Sequence, residues 1–401
     1  MSPRRQRPGR LTAVALFVFA ATRTMALDWS QPWNPPPPDP VLATTQSDEY
    51  AWRLLIALNW PADERGRPDP AAPLGSDRTV VWQTWLNAAD VFLETGGDPG
   101  PWSERRQPLP LERRFETISR KERPNLRHIV GGIMVPLADP VAAARRLTEI
   151  RFNRPSFEFI RAGGLYNVEG QLRAYETGHA LSFPYGACQV KAKWRPITAG
   201  ERSRYYTMQL TLADGTQRLY GLTALHVASK ALPNWFWATF EQVDNPTLRD
   251  NEGWQLPSRD RFACANESAD CNRAPAGIGL ETTVWKYYRL RGTLTQYTDA
   301  HGQPLRLANS ELESGMQGSS SCMTCHARAA MAAADAAIVR LPIFDTRNLQ
   351  ADQPLERLGF VGSPDPAWLE PSGPAGLRFQ QLDFVWSLTL AQPKSLPVAT
   401  P

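Results

Sequence analysis

The residues best suited to chemistry lie in one short stretch, Ser314 to Ala337, which reads SGMQGSSSCMTCHARAAMAAADAA. Cys322 and Cys325 are three residues apart, and His326 follows the second directly. Two thiols at this spacing with an imidazole behind them form the C-x-x-C-H pattern of covalent c-type haem attachment. The thiols become thioethers to the porphyrin edge, and the histidine is an axial ligand to iron. The chain has five cysteines and five histidines among 401 residues. At those frequencies a chance match arises roughly once in a thousand such chains. Positions i, i+3 and i+4 share one face of a helix. A helix capped by Ser319–Ser321 and running on through the alanine-rich stretch would therefore point all three side chains the same way.

Three other chemistries use a Cys-x-x-Cys pair. A thioredoxin-like dithiol follows a strand in a βαβ unit, and nothing before Ser319 reads as that strand. A zinc site needs a second ligand pair, and the sequence has neither a second Cys-x-x-Cys nor a His-x₃₋₅-His. A structural disulfide accounts for neither the spacing nor the histidine. Haem attachment also settles the odd cysteine count. Cys264 and Cys271, six residues apart in the polar run CANESADC, are expected to pair as a disulfide. Cys188 is left as a small core residue.

The sixth iron position separates an electron carrier from an open, reactive haem. No histidine follows His326, and the only later methionine, Met331, is five residues on and expected on the same helix. A protein ligand must then come from upstream. His226, in YGLTALHVASK, is the first candidate and is expected on a strand face with Tyr220, Leu222 and Ala224. Met316 is the second. His128, His179 and His301 sit in loop-like contexts, and a water-bound or vacant position is the remaining option.

The elements that position these residues fall into a clear order. The first 26 residues read as a cleaved signal peptide: Arg4, Arg5, Arg7 and Arg10 precede the apolar run LTAVALFVFAA, and a small residue, Ala26, stands at the expected cut. That segment holds five arginines and no acid, so a whole-chain charge of +4 falls to near −1 without it. The basic balance therefore offers no support for nucleic-acid binding, and no other run is long and apolar enough to span a bilayer. Residues 27–45 read as a proline-rich extended lead-in. SDEYAWRLLIALNWP predicts a helix capped by Ser47 and ended by Pro61. VVWQTWLNAADVFL predicts another, with Trp82, Trp85, Leu86, Ala89, Phe92 and Leu93 on its core face. Residues 95–145 read mainly as loop.

Strict alternation in CQVKAKWRP predicts a half-buried strand, with Cys188, Val190, Ala192 and Trp194 inward. Two strand-like runs around Asp214-Gly215 predict a hairpin. NWFWATFEQVD and TTVWKYYRLRGTLTQY add further strands. LDFVWSLTLAQP reads as a strand or short helix. The expected fold is α+β: an antiparallel sheet with helices before it and a haem-bearing helical segment after it, organised as an α+β domain over 46–304 and a haem segment over 305–401 on the same core.

Several stretches together resemble a family of exported bacterial cytochrome c domain-containing proteins. They are AWRLLIALNWPA, VWQTWLNAADVF, EIRFNRP, QVKAKWRP, LHVASKALPNWFWATFEQVDN, LANSELES, SSSCMTCHARA and DFVWSL, spread from Ala51 to Leu388. The resemblance implies a monohaem c-type cytochrome of the cell envelope, with one covalent haem c on Cys322, Cys325 and His326. The expected function is periplasmic single-electron transfer between redox partner proteins. The alternatives are a haem-dependent oxidoreductase, peroxidase-like or a small-molecule oxidase, with His226 as distal acid/base, and a haem-based ligand sensor. The haem segment is too short for a separate small cytochrome domain, so the haem is expected to lie against the sheet.

Overall fold

The structure, a computed structural model, describes residues 29–102, 128–130, 133–135, 147–211, 215–245, 274–313, 320–334, 337–341, 361–369 and 376–394. Its centre is a seven-stranded antiparallel sheet of β1 (Leu86–Asn87), β4 (Leu147–Phe152), β5 (Cys188–Pro196), β6 (Thr207–Thr211), β7 (Gln217–Ser229), β8 (Phe236–Gln242) and β9 (Tyr288–Leu294). The order is β1-β4-β5-β7-β8-β9. β6 pairs with the first half of β7 and β8 with the second, both on the edge away from β5. The antiparallel middle of the chain and the β6–β7 hairpin are as the alternation predicts. A separate pair, β2 (His128–Val130) with β3 (Ile133–Val135), lies in the stretch expected to be loop.

The period-2 rule sends alternate side chains of each strand to opposite faces. On β5 it places Cys188, Val190, Ala192 and Trp194 in one apolar core, as expected. That core packs against α2 (Ser47–Leu58), where Tyr50 meets Phe236 edge-on at 4.9 Å between ring centroids and Trp52 meets Phe240 at 5.2 Å. α2 is buried all round because the proline-rich lead-in covers its far side: Arg53 donates to the carbonyls of Gln31 and Asn34 and lies over the Trp29 ring. The lead-in is not extended throughout, since α1 (Pro40–Thr45) begins within it, capped by Asp39. The N-cap of α2 is Gln46 rather than Ser47, which is its first helical residue.

Two expected helices give way to tertiary context. Residues 81–93 form a 3₁₀ turn over Val81–Thr84, strand β1, and the single-turn helix α3 (Ala88–Val91) capped by Asn87. Pairing of Leu86 and Asn87 with Phe152 and Arg151 breaks the helical run. The alanine-rich stretch after Cys322 is helical only over α6 (Cys322–Ala327). It then becomes β10 (Ala330–Ala334), flanked by β11 (Ala337–Arg340) and β12 (Gln380–Gln381). Helix propensity is a weak prior. Here it loses to two partner strands and to burial of Ala330 and Ala332 against Leu341 and Phe379. The C-terminal segment expected to be helical is thus one short helix leading into a small sheet, and Met331 lies on β10, not on the helix of His326.

Two further helices, α4 (Arg154–Ala162) and α5 (Val168–Glu176), carry asparagine N-caps, Asn153 and Asn167. They help enclose a second apolar core on the sheet face opposite α2, with Trp235, Trp237, Met323, Phe384 and Leu388 at its centre. The C-terminal residues expected as strand or short helix form a 3₁₀ helix over Trp386–Leu390. Among the described residues no helix is long and apolar enough to cross a membrane.

Candidate functional site around the C-x-x-C-H helix

Cys322, Cys325 and His326 stand on α6, which opens at Ser321. The Ser321 hydroxyl accepts the Thr324 N–H, an ordinary N-cap. The Thr324 hydroxyl donates to the Gly362 carbonyl, and the Trp386 indole donates to the Cys325 carbonyl at 3.0 Å. The helix is therefore held from both ends of its single turn. Cys322 is buried with its thiol on the Leu307 carbonyl at 3.1 Å, while Cys325 is half-buried. Both are free thiols. Burial and the nearby Glu313 carboxylate push Cys325 up to about 12, and the same causes hold Cys322 well above the ordinary thiol range. Redox dithiols show the opposite, a depressed thiol pKa.

His326 is fixed more tightly still. Its Nδ1 lies 2.7 Å from the Phe384 carbonyl oxygen. A carbonyl only accepts, so Nδ1 carries the proton and Nε2 keeps its lone pair. The Trp237 ring packs on the imidazole, with centroids 4.4 Å apart and planes at 50°. Burial, reinforced by the nearby His226 and Lys191 side chains, lowers His326 to about 4 against the pull of the Phe384 carbonyl. The ring is neutral at pH 7, the form that binds metals. Ligating histidines characteristically donate their second N–H to a carboxylate or carbonyl, which is the arrangement found here.

The floor of the site is the sheet face away from α2. Its side chains come in register rows: Lys191, His226 and Thr239 from β5, β7 and β8, with Gln189, Ala228 and Trp237 beside them. The face of His226 differs from expectation. The β5–β7 register slips between Lys193 and Trp194, so Thr223 is an extra residue on β7. A bulge reverses the alternation on either side of it. Tyr220 and Leu222 therefore join the α2 core with Leu225 and Val227, whereas Ala224, His226 and Ala228 turn to the α6 side. The slip carries His226 toward the C-x-x-C-H motif.

His226 is engaged there. Its Nε2 lies 3.1 Å from the Glu313 carboxylate. Burial opposes the charge on Glu313, but His226, Lys191 and the Asn309 N–H outweigh it, and the carboxyl sits below its ordinary range. The segment carrying Glu313 is clamped to the sheet. The Asn309 amide donates to the Thr239 hydroxyl at 2.8 Å and to the Phe240 carbonyl, and the Ser310 N–H donates to Glu241. Glu241 is itself fully buried against Arg289 at 2.9 Å and Arg291 at 3.4 Å.

No family model, curated protein or solved structure matches this chain. The site therefore rests on its own geometry.

That geometry brings together Cys322, Cys325, His326 and His226, and leaves the other named histidines elsewhere. His179 and His301 are exposed, and His128 lies on β2 with its side chain outside the described residues. Met316 and the expected disulfide partners Cys264 and Cys271 also fall outside the described residues. Cys188 lies buried at the head of β5, its thiol pushed up to about 12 by burial. Among the described residues no three His, Cys, Asp or Glu side chains converge as a site for a bare metal ion. Sequence reasoning did not single out Trp237, Glu241, Asn309, Glu313 or Phe384. All five sit in LHVASKALPNWFWATFEQVDN, LANSELES and DFVWSL, three of the stretches that carry the resemblance. Those three stretches form the walls around α6.

Proposed function

We propose that this protein is an exported monohaem c-type cytochrome that passes single electrons between partners of the bacterial cell envelope. The observation that carries the reading is the capped C-x-x-C-H helix, whose histidine is held by Phe384 in the tautomer that leaves Nε2 free. Cys322 and Cys325 would hold the haem covalently and His326 would be its axial ligand. A haem so held supplies a one-electron couple at iron. The chain's own work is to keep His326 neutral and oriented through Phe384 and Trp237, and to shield that face of the site with the second core.

The His226–Glu313 pair favours one second reading. With Nε2 engaged by a carboxylate, His226 is placed less as a ligand than as an acid/base group, as a haem-dependent oxidoreductase would use it. Paired with Glu313, His226 would move a proton to or from a small molecule bound beside the haem.

The test is to produce the protein with a haem maturation system and record oxidised and reduced visible spectra, beside a Cys322→Ser/Cys325→Ser control. Covalent haem with a six-coordinate, low-spin spectrum unmoved by carbon monoxide supports the electron carrier. A high-spin spectrum shifted by carbon monoxide or peroxide moves the weight to the oxidoreductase. Wild-type protein without covalent haem would sink both.

A further inference from the structure

Among the described residues only three that are not glycine adopt a left-handed backbone: Trp235, Asp383 and Phe384, with φ of 62°, 46° and 67°. Two of them, Trp235 and Asp383, meet at one buried charge, and Phe384 directly follows Asp383. The Lys230 ammonium, at the end of β7, donates to Asp383 Oδ1 at 2.6 Å and to the Pro233 carbonyl at 2.7 Å, and it lies 5.6 Å from the Trp235 ring centroid. The Lys230 and Asp383 side chains are only 5% and 7% exposed. The second carboxylate oxygen of Asp383 accepts the Phe183 N–H at 2.7 Å.

Asp383 and Phe384 are the central residues of a turn closed by the Val385 N–H on the Leu382 carbonyl at 3.0 Å. Left-handed φ at both central positions is what a type I′ turn demands, and Asn-Gly is the pair that takes it without strain. Phenylalanine in the second position is unfavourable and persists only where its surroundings enforce it. The turn delivers the Phe384 carbonyl to His326 Nδ1. The Leu382 N–H and Gln381 amide fasten the same turn to Ala329 and Ala327, at the far end of α6.

We propose that the buried Lys230–Asp383 pair is a clamp that enforces this strained turn and thereby fixes the proton of His326 on Nδ1. Lys230 and Asp383 are positioning residues that act through Phe384. The proposal deepens the reading of His326 as an axial ligand and rests on that reading for its effect on a haem. The placement of the proton itself does not depend on a haem. A pair serving only to attach the C-terminal segment would not need to hold two successive left-handed residues opposite the one imidazole of the motif.

The test compares holoprotein of the wild type with Lys230→Met, Asp383→Asn and the conservative Lys230→Arg. Asparagine is well suited to the turn, so Asp383→Asn removes the charge without a backbone penalty. Two readouts are taken: solvent exchange of the His326 Nδ1 proton by nitrogen-edited NMR of the diamagnetic ferrous state, and the midpoint potential. The clamp predicts exchange roughly tenfold faster in Lys230→Met and Asp383→Asn, because a turn with two left-handed residues opens more readily once nothing enforces it. The two variants should shift the potential in the same direction, and Lys230→Arg should restore both readouts toward wild type. Unchanged exchange and potential in variants that carry haem overturn the clamp. If the single variants do not fold, Lys230→Met/Asp383→Asn leaves no buried unpaired charge and takes their place. If the wild type carries no haem, the cytochrome reading fails on its own. The exchange comparison is then made on the haem-free chain, where equal rates in wild type and variants overturn the clamp.

Discussion

Replacing Glu241 by alanine should be among the most damaging single changes in this protein. The Glu241 side chain is fully buried and accepts from the Arg289 guanidinium at 2.9 Å, with Arg291 at 3.4 Å and the Ser310 N–H as further partners. Alanine would leave buried guanidinium groups without their carboxylate, which costs about 3–5 kcal/mol. For a chain of 401 residues, a melting entropy of about 2.1 cal/mol/K per residue gives a fall in Tm of about 4–6 °C. The matched control is Glu158→Ala. Glu158 pairs with Arg154 across one exposed helical turn, with side chains 52% and 64% exposed. Such a pair is worth about 0.3–0.5 kcal/mol, or less than about 1 °C here. Thermal unfolding of both variants by circular dichroism checks the contrast. Equal melting of the two, within about 1 °C, would refute the view that Glu241 anchors the Asn309–Glu313 segment through a buried charge cluster.

Other outcomes follow from the same geometry. Ser321→Ala removes the N-cap of α6 and should cost about 1 kcal/mol in urea unfolding; a variant as stable as wild type would contradict the cap. Gly170→Ala should lower stability by about 1–3 kcal/mol, because the new Cβ would stand 1.8 Å from the Gly164 carbonyl oxygen, backbone against backbone; a wild-type melting point would show that α5 can shift away. Glu313 has a folded pKa below its unfolded value, so the unfolded chain binds more protons in the acid range. Its contribution is present above the ordinary glutamate pKa of about 4.3 and is lost as the pH falls through the lowered folded value. Glu313→Gln should flatten that part of the stability–pH curve, and an unchanged curve would show that the His226–Glu313 pair contributes nothing to it. On the proposed cytochrome reading, His226→Ala should leave haem attachment intact, since the thioethers would form at Cys322 and Cys325; loss of attachment on mass analysis would point to a role for His226 in building the site.

Much of this chain is legible one residue at a time. The C-x-x-C-H spacing places three reactive side chains together without a fold, because three side chains on one helical turn need only local geometry. The α+β class follows from alternation in CQVKAKWRP and in the hairpin runs, and the inward set of β5 is the one that period 2 predicts. Local patterns fail where a partner elsewhere in the chain competes. The alanine-rich stretch after Ala327 has the propensity for helix, but β11 and β12 offer it backbone hydrogen bonds and a buried face, and it becomes a strand. Trp82 and Leu86 fall at helical spacing, yet pairing with β4 splits the segment that holds them.

The site itself needed the tertiary structure. One extra residue, Thr223, reverses the faces of β7, and only the register against β5 reveals which side His226 takes. The Phe384 carbonyl that fixes His326 is a backbone atom 58 residues away, in a turn whose left-handed shape no residue type announces. The buried charges Lys230, Glu241 and Asp383 read in sequence as ordinary surface residues. Charge can be buried only with its partner, and that partner is chosen by the fold. The sequence by itself determined the reactive groups and the kind of scaffold; packing decided which other residues surround those groups and which of their protons they keep.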